Sequence, residues 1–161
     1  MLTVNRFLIT VIFITGLFTA TGQTPKNVKP VQNTPQKFKP PKLTTTLGIR
    51  TDTVAVYVEE ALQLIRLPLT VTDNKKSIYT ISSYQFLYKR RTVSEDEKTG
   101  KAIPASSIVS DLFRSTPLPD LWKKILAEQM KPGEELFFFD IIVKDAAGRF
   151  MFSPNLKLII K

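Results

Sequence analysis

The chain contains no histidine and no cysteine. Those two absences remove Ser-His-Asp and Cys-His nucleophilic catalysis, histidine-ligated zinc and haem held by histidine. Without cysteine there is neither a disulfide framework nor a thioether lipid anchor. The six glycines fall in no phosphate-cradling motif. Asp140 and Asp145 are too few for an all-oxygen calcium cage. Carboxylates occur as Glu59-Glu60, Glu95-Asp96-Glu97 and Glu134-Glu135. A glycoside-cleaving pair must face each other across a cleft of about 5–9.5 Å. Neighbours on a strand point to opposite faces, so all three groups are expected at exposed loops or strand ends. The composition predicts no enzyme, no cofactor and no metal.

What is present first is an export signature. Arg6 is the only charge in residues 1–22, residues 7–20 are apolar or threonine, and Ala20-Thr21-Gly22 supplies small residues for a signal peptidase. Cleavage is expected before Gln23. The apolar run of fourteen residues is shorter than the roughly twenty a membrane-spanning helix needs. No transmembrane span is therefore expected after cleavage, and retention as an uncleaved anchor is the alternative. Export without cysteine points to a bacterial envelope: periplasmic or outer-membrane associated.

Residues 23–43 follow, with Pro25, Pro30, Pro35, Pro40 and Pro41, five lysines and no acid. This composition reads as a semi-rigid linker near polyproline II, reaching up to about 60 Å at ~3.1 Å per residue. The formal charge of +9 is concentrated here: residues 44–161 hold 17 basic and 14 acidic side chains. A nearly balanced domain argues against a nucleic-acid-binding face.

Residues 44–161 read as one strand-rich domain. Short strands are expected at 53–58 and 65–73, with a turn or short helix at 59–64. The longest strand is expected at 78–90, with Tyr79, Ile81 and Leu87 on one side and Ile78, Tyr84, Phe86 and Tyr88 on the other. Residues 92–105 read as a surface loop, and 107–113 as one further helical turn. Leu118, Leu121, Trp122, Ile125, Leu126 and Met130 recur at steps of three and four, an amphipathic helix with Thr116 as N-cap and Pro117 at its first position. Lys131-Pro132-Gly133 ends it. Residues 135–144 alternate, with Phe137, Phe139, Ile141 and Val143 on a wholly apolar face and Leu136, Phe138, Asp140, Ile142 and Lys144 on a mixed one. A turn at Asp145-Ala146-Ala147-Gly148 returns the chain through Pro154 to Leu156, Leu158 and Ile160. The expected fold class is α+β: a mainly antiparallel, sandwich-like sheet, with one amphipathic helix packed on it before a C-terminal β-hairpin.

Thr116-Pro117, the helix, Lys131-Pro132-Gly133-Glu134, the aromatic strand to Asp140-Ile141, Asp145-Ala146-Ala147-Gly148-Arg149, Pro154 and the last strand together resemble the C-terminal domain of the GldM/PorM family. Ile81-Ser82-Ser83-Tyr84-Gln85-Phe86 is similar to an earlier strand of that domain. The resemblance covers about 80 residues, all of them turn and pattern positions, so no functional residue carries over. It implies a non-enzymatic part in type IX secretion or gliding motility, at the cell envelope. The family's long N-terminal domains have no counterpart here, so energy transduction from the inner membrane is not implied.

The expected activity is protein binding: an exported adaptor that meets an envelope partner through a sheet edge or an aromatic face. Candidate surface residues are Phe138, Phe150, Phe152, Arg90 and Arg91. The alternative is a module that binds glycan or another envelope polymer by stacking on Tyr79, Tyr84, Tyr88 or Trp122. Oligomeric state is left open by the sequence.

Overall fold

The computed structural model describes residues 38–161, which make up the compact unit Phe38–Lys161. The expected signal peptide and the linker as far as Lys37 lie outside the described residues. The linker's last residues belong to the domain. Phe38 lies with its ring centroid 3.8 Å from the Arg149 guanidinium, and Leu43 opens the first strand with its side chain buried.

The architecture is α+β, dominated by one mainly antiparallel sheet. In chain order it comprises β1 (Leu43–Leu47), β2 (Arg50–Thr51), β3 (Thr53–Val56), α1 (Val58–Leu64), β4 (Leu69–Asp73), β5 (Ile78–Glu95), β6 (Ala102–Phe113), α2 (Asp120–Gln129), β7 (Glu135–Lys144), β8 (Phe150–Ser153) and β9 (Leu156–Ile160). The strand order is β2-β1-β4-β5-β7-β9-β3, with β6 on β5 and β8 on β7. Among the described residues only β3 and β9 run parallel. The sheet curls until Thr45 on β1 meets Ser153 on β8, hydroxyl to hydroxyl at 2.7 Å. Among the described residues no helix is long and apolar enough to cross a membrane.

Two expected elements are overturned. The loop expected at 92–105 shrinks to a turn at 96–101 between strands, and 107–113 are not helical. β5 continues to Glu95, turns, and returns as β6, paired from Glu95↔Ala102 to Tyr84↔Phe113. The turn is fixed locally, because Asp96 Oδ1 accepts the N–H groups of Lys98 and Thr99 at 2.9 and 2.8 Å, as Asp does in turns. Gly100 then takes φ 63°. The result is a long two-stranded arm.

The helix starts later than expected. Thr116 does not cap it: its Oγ1 accepts the Leu69 N–H at 2.7 Å instead. The Thr116–Pro117 peptide is cis, and Pro119, extended at ψ 152°, precedes Asp120 without a side-chain cap. Leu118, Trp122, Leu126 and Met130 are buried, whereas Leu121 is 68 % exposed. These four define a stripe of i, i+4 positions, and Leu121 lies about 120° from its centre at ~100° per residue. Trp122 meets Phe86 and Phe113 edge-on, at 5.1 and 6.3 Å between centroids.

The hairpin strand changes face partway along. Leu136 and Phe138 point into the core, then Ile141 and Val143 do. The switch sits at Asp140, which takes φ 47° and opens an irregularity between the pairs Gln85↔Phe139 and Ser83↔Ile142. β5 shifts in step: Tyr79 and Ile81 pack on the core, then Tyr84, Phe86 and Tyr88 do. A single alternation through either strand puts half its side chains on the wrong face. Leu87 therefore faces outward, and so do Phe137 and Phe139.

Glu134 was expected to be exposed and is buried, at 2 %. Its carboxylate accepts from the Tyr88 hydroxyl, from the Lys131 N–H at 2.9 Å and from the Arg91 N–H at 3.2 Å. Burial, and then this bond, push the Tyr88 hydroxyl pKa upward. Burial also pushes Tyr84 up to about 12.

Four exposed or half-exposed carboxylates are held below their ordinary range. Asp73 is lowered chiefly by the Ser77 N–H, Asp96 by the Thr99 N–H, Asp145 by the Arg149 N–H and Glu135 by the Lys157 ammonium. A lowered folded pKa contributes stability that is complete above the unfolded value and is lost as pH falls through the folded one. Denaturant midpoints should therefore fall below roughly pH 4. With no histidine, no side chain ordinarily titrates between about pH 5 and 8, so the midpoint should stay flat there. A midpoint that rises between pH 5 and 3 would contradict these contacts.

Candidate interaction face

The sheet has a concave face that holds the core and a convex face turned outward. Register assigns the outward residues. Residues paired across a ladder share a face, so Leu87 aligns with Ser110 and Phe137, Gln85 with Leu112 and Phe139, and Lys89 with Ile108 and Glu135. Beyond the irregularity, Ile142 aligns with Ser83 and Phe152, and Lys144 with Thr80 and Phe150. One face of β6, β5, β7 and β8 thus carries Leu112, Leu87, Phe137, Phe139, Ile142, Phe152 and Phe150.

The face is apolar but framed by charge. Phe137 and Phe139 stack with centroids 5.1 Å apart and planes within 8°. Phe150 and Phe152 are 62 % and 75 % exposed, and Leu112 is 53 % exposed. Ser83, Ile142, Phe150 and Phe152 line a shallow groove of about 290 Å³. The Lys144 ammonium sits 5.6 Å from the Phe150 ring centroid, a cation–π distance. At the other end Glu135 bridges Lys157 at 2.8 Å and Lys89 at 3.8 Å, and midway along the face Gln85 donates to Asp140 at 2.8 Å. Exposed aromatics rimmed by polar groups are how docking surfaces differ from ordinary surface.

The five residues singled out from the sequence do not form one surface. Phe150 and Phe152 lie together on the outward face. Phe138 is a correction: it is 1 % exposed and packs on Phe86 and Tyr84. Arg90 lies on the opposite face of the arm, its guanidinium 6.0 Å from the Tyr88 ring centroid. Arg91 lies over the turn at Gly133, where an added Cβ would sit 2.7 Å from its Cδ. Phe137, Phe139 and Leu87 were missed as surface residues because the face switch at Asp140 and Ser82-Ser83 was not read, and Leu112 because its strand reads as a helical turn. The signal was there: one acid in an aromatic strand and two serines opposite it.

The stacking platform expected for a polymer is also corrected. Tyr84, Tyr88 and Trp122 are 0 %, 1 % and 8 % exposed and offer no ring face to a sugar. Tyr79 is half-buried, and its hydroxyl donates to Asp73 at 3.1 Å. No group of three acidic side chains that could hold a metal ion exists among the described residues. Comparison with family models and with curated proteins finds no match for this chain.

Proposed function

We propose that this chain is a non-enzymatic adaptor, exported to the periplasm or outer membrane, that binds an envelope protein through the outward face of β5–β8. The apolar side chains gathered on one face from Leu112 to Phe150, with Phe150 and Phe152 most exposed, carry the reading, because large exposed aromatics grouped in this way mark interaction sites. The resemblance to the GldM/PorM C-terminal domain supports a place as an accessory of type IX secretion or gliding. In that reading the curled sheet is sandwich-like, with β1 and β4 opposed to β8 and β9.

The test places a photo-crosslinking amino acid at Phe152 in the full chain, in the cells that make it. Illumination should give one adduct with an envelope protein. Phe150→Asp with Phe152→Asp should cut its yield about tenfold or more, as loss of hot-spot aromatics does. Stability should stay within about 0.5 kcal/mol, because both side chains are exposed. Unchanged yield in the double variant, or retention on isolated envelope polysaccharide with no protein adduct, would overturn the proposal.

A further inference from the structure

β6 is paired with β5 along one edge from Ala102 to Phe113, and among the described residues its other edge pairs with nothing. An open row of N–H and C=O groups is a template for another strand. Proteins blunt such edges with lysine and proline, yet β6 holds one charge, Asp111, and one proline, Pro104. Between them residues 105–110 are neutral and contain neither glycine nor proline. Ile108 and Val109 are 59 % and 43 % exposed.

On the core-side face of the arm, Tyr88, Arg90, Val109, Trp122, Ile125 and Gln129 line a groove of about 250 Å³. Neither Arg90 nor Asp111 makes an ion pair among the described residues. Ser107 lies beside Arg90 in the ladder, and its side chain is too short to screen it. A strand added antiparallel to β6 therefore needs an apolar residue opposite Val109 and, two positions later, an acid opposite Ser107. β6 itself reads Val109-Ser110-Asp111.

We infer that β6 pairs antiparallel with β6 of a second copy of this chain, about a two-fold axis through Val109. Val109 then faces its own copy, Ile108 faces Ser110, Ser107 faces Asp111, Ser106 faces Leu112 and Ala105 faces Phe113. Each Asp111 reaches the other copy's Arg90 across Ser107, so two ion pairs form and no like charges oppose. The ladder stops short of Pro104, which has no N–H to donate. A register centred on Ile108 would draw Pro104 in and set Asp111 against Ala105. The axis is perpendicular to the sheet, so the outward faces of both copies continue on one side.

The absence of cysteine makes the test direct. In the full chain, Val109→Cys should oxidise to a covalent dimer, because side chains directly opposed in an antiparallel pair are within disulfide reach. Ile108→Cys and Ser107→Cys should crosslink several-fold less. Ile78→Cys, at a position 79 % exposed and outside β6, should give only background. In the Val109→Cys chain, Arg90→Asp or Asp111→Arg alone should lower the dimer yield several-fold, and the two together should restore it. Yield at Val109 no greater than at Ile78, a maximum at another position, or a swap that fails to restore it would overturn the inference.

Discussion

Replacing Glu134 by alanine is expected to lower folding stability by about 3–5 kcal/mol, a large share of a small domain's total. Three donors converge on that carboxylate: the Tyr88 hydroxyl and the N–H groups of Lys131 and Arg91. Truncation leaves the Tyr88 hydroxyl unpaired in the core and deprives two part-buried N–H groups of their acceptor, and an unpaired buried donor costs about 1–3 kcal/mol. The contacts join β5 to the turn between α2 and β7, 43 and 46 residues further along the chain. Tyr88→Phe removes one donor and leaves two, so its cost should be about 1–3 kcal/mol. The double variant should be less destabilised than the sum, because the residues share one bond. Urea unfolding of all three variants measures this. A Glu134→Ala midpoint close to that of the parent chain would mean that solvent satisfies the donors.

Which parts of this fold could be read in advance follows from which parts have a strict period. α2 was legible because Leu118, Trp122, Ile125, Leu126 and Met130 recur at steps of three and four, although Leu121, read on the same face, is exposed. The closing strand was legible because Leu156, Leu158 and Ile160 alternate and all three are buried. β6 was not, because Ala-Ile-Pro-Ala-Ser-Ser-Ile-Val-Ser-Asp has neither period, being exposed on both faces along most of its length. A strand that buries little has no reason to alternate. Its pairing to β5 fixes it instead, and pairing is not written in composition. Glu134 was misread for a related reason. Its environment is assembled from residues 3 to 46 positions away, and an acid pair in isolation looks like solvated surface. The outward face suffered most, since its membership depends on where the alternation slips.

That slip can be tested at two adjacent residues. Phe138→Ala is expected to cost about 3–5 kcal/mol, the range for a buried phenylalanine in a core. Its ring lies 5.0 Å from Phe86 and 6.0 Å from Tyr84 between centroids, and the core closes around it. Phe139→Ala should cost about 1 kcal/mol, the loss of one stacked contact with Phe137 on a face open to solvent. A strand alternating without interruption from Phe137 to Val143 demands the reverse order, with Phe139 inside and Phe138 outside. The two accounts therefore differ in sign for the same pair of variants. Partner capture separates them again, since Phe139→Ala should weaken the photo-crosslinked adduct while leaving the fold intact. Phe138→Ala should affect capture only through lost stability. Equal destabilisation by the two substitutions would remove the face switch at Asp140, and with it the basis for assigning Phe137 and Phe139 to the partner.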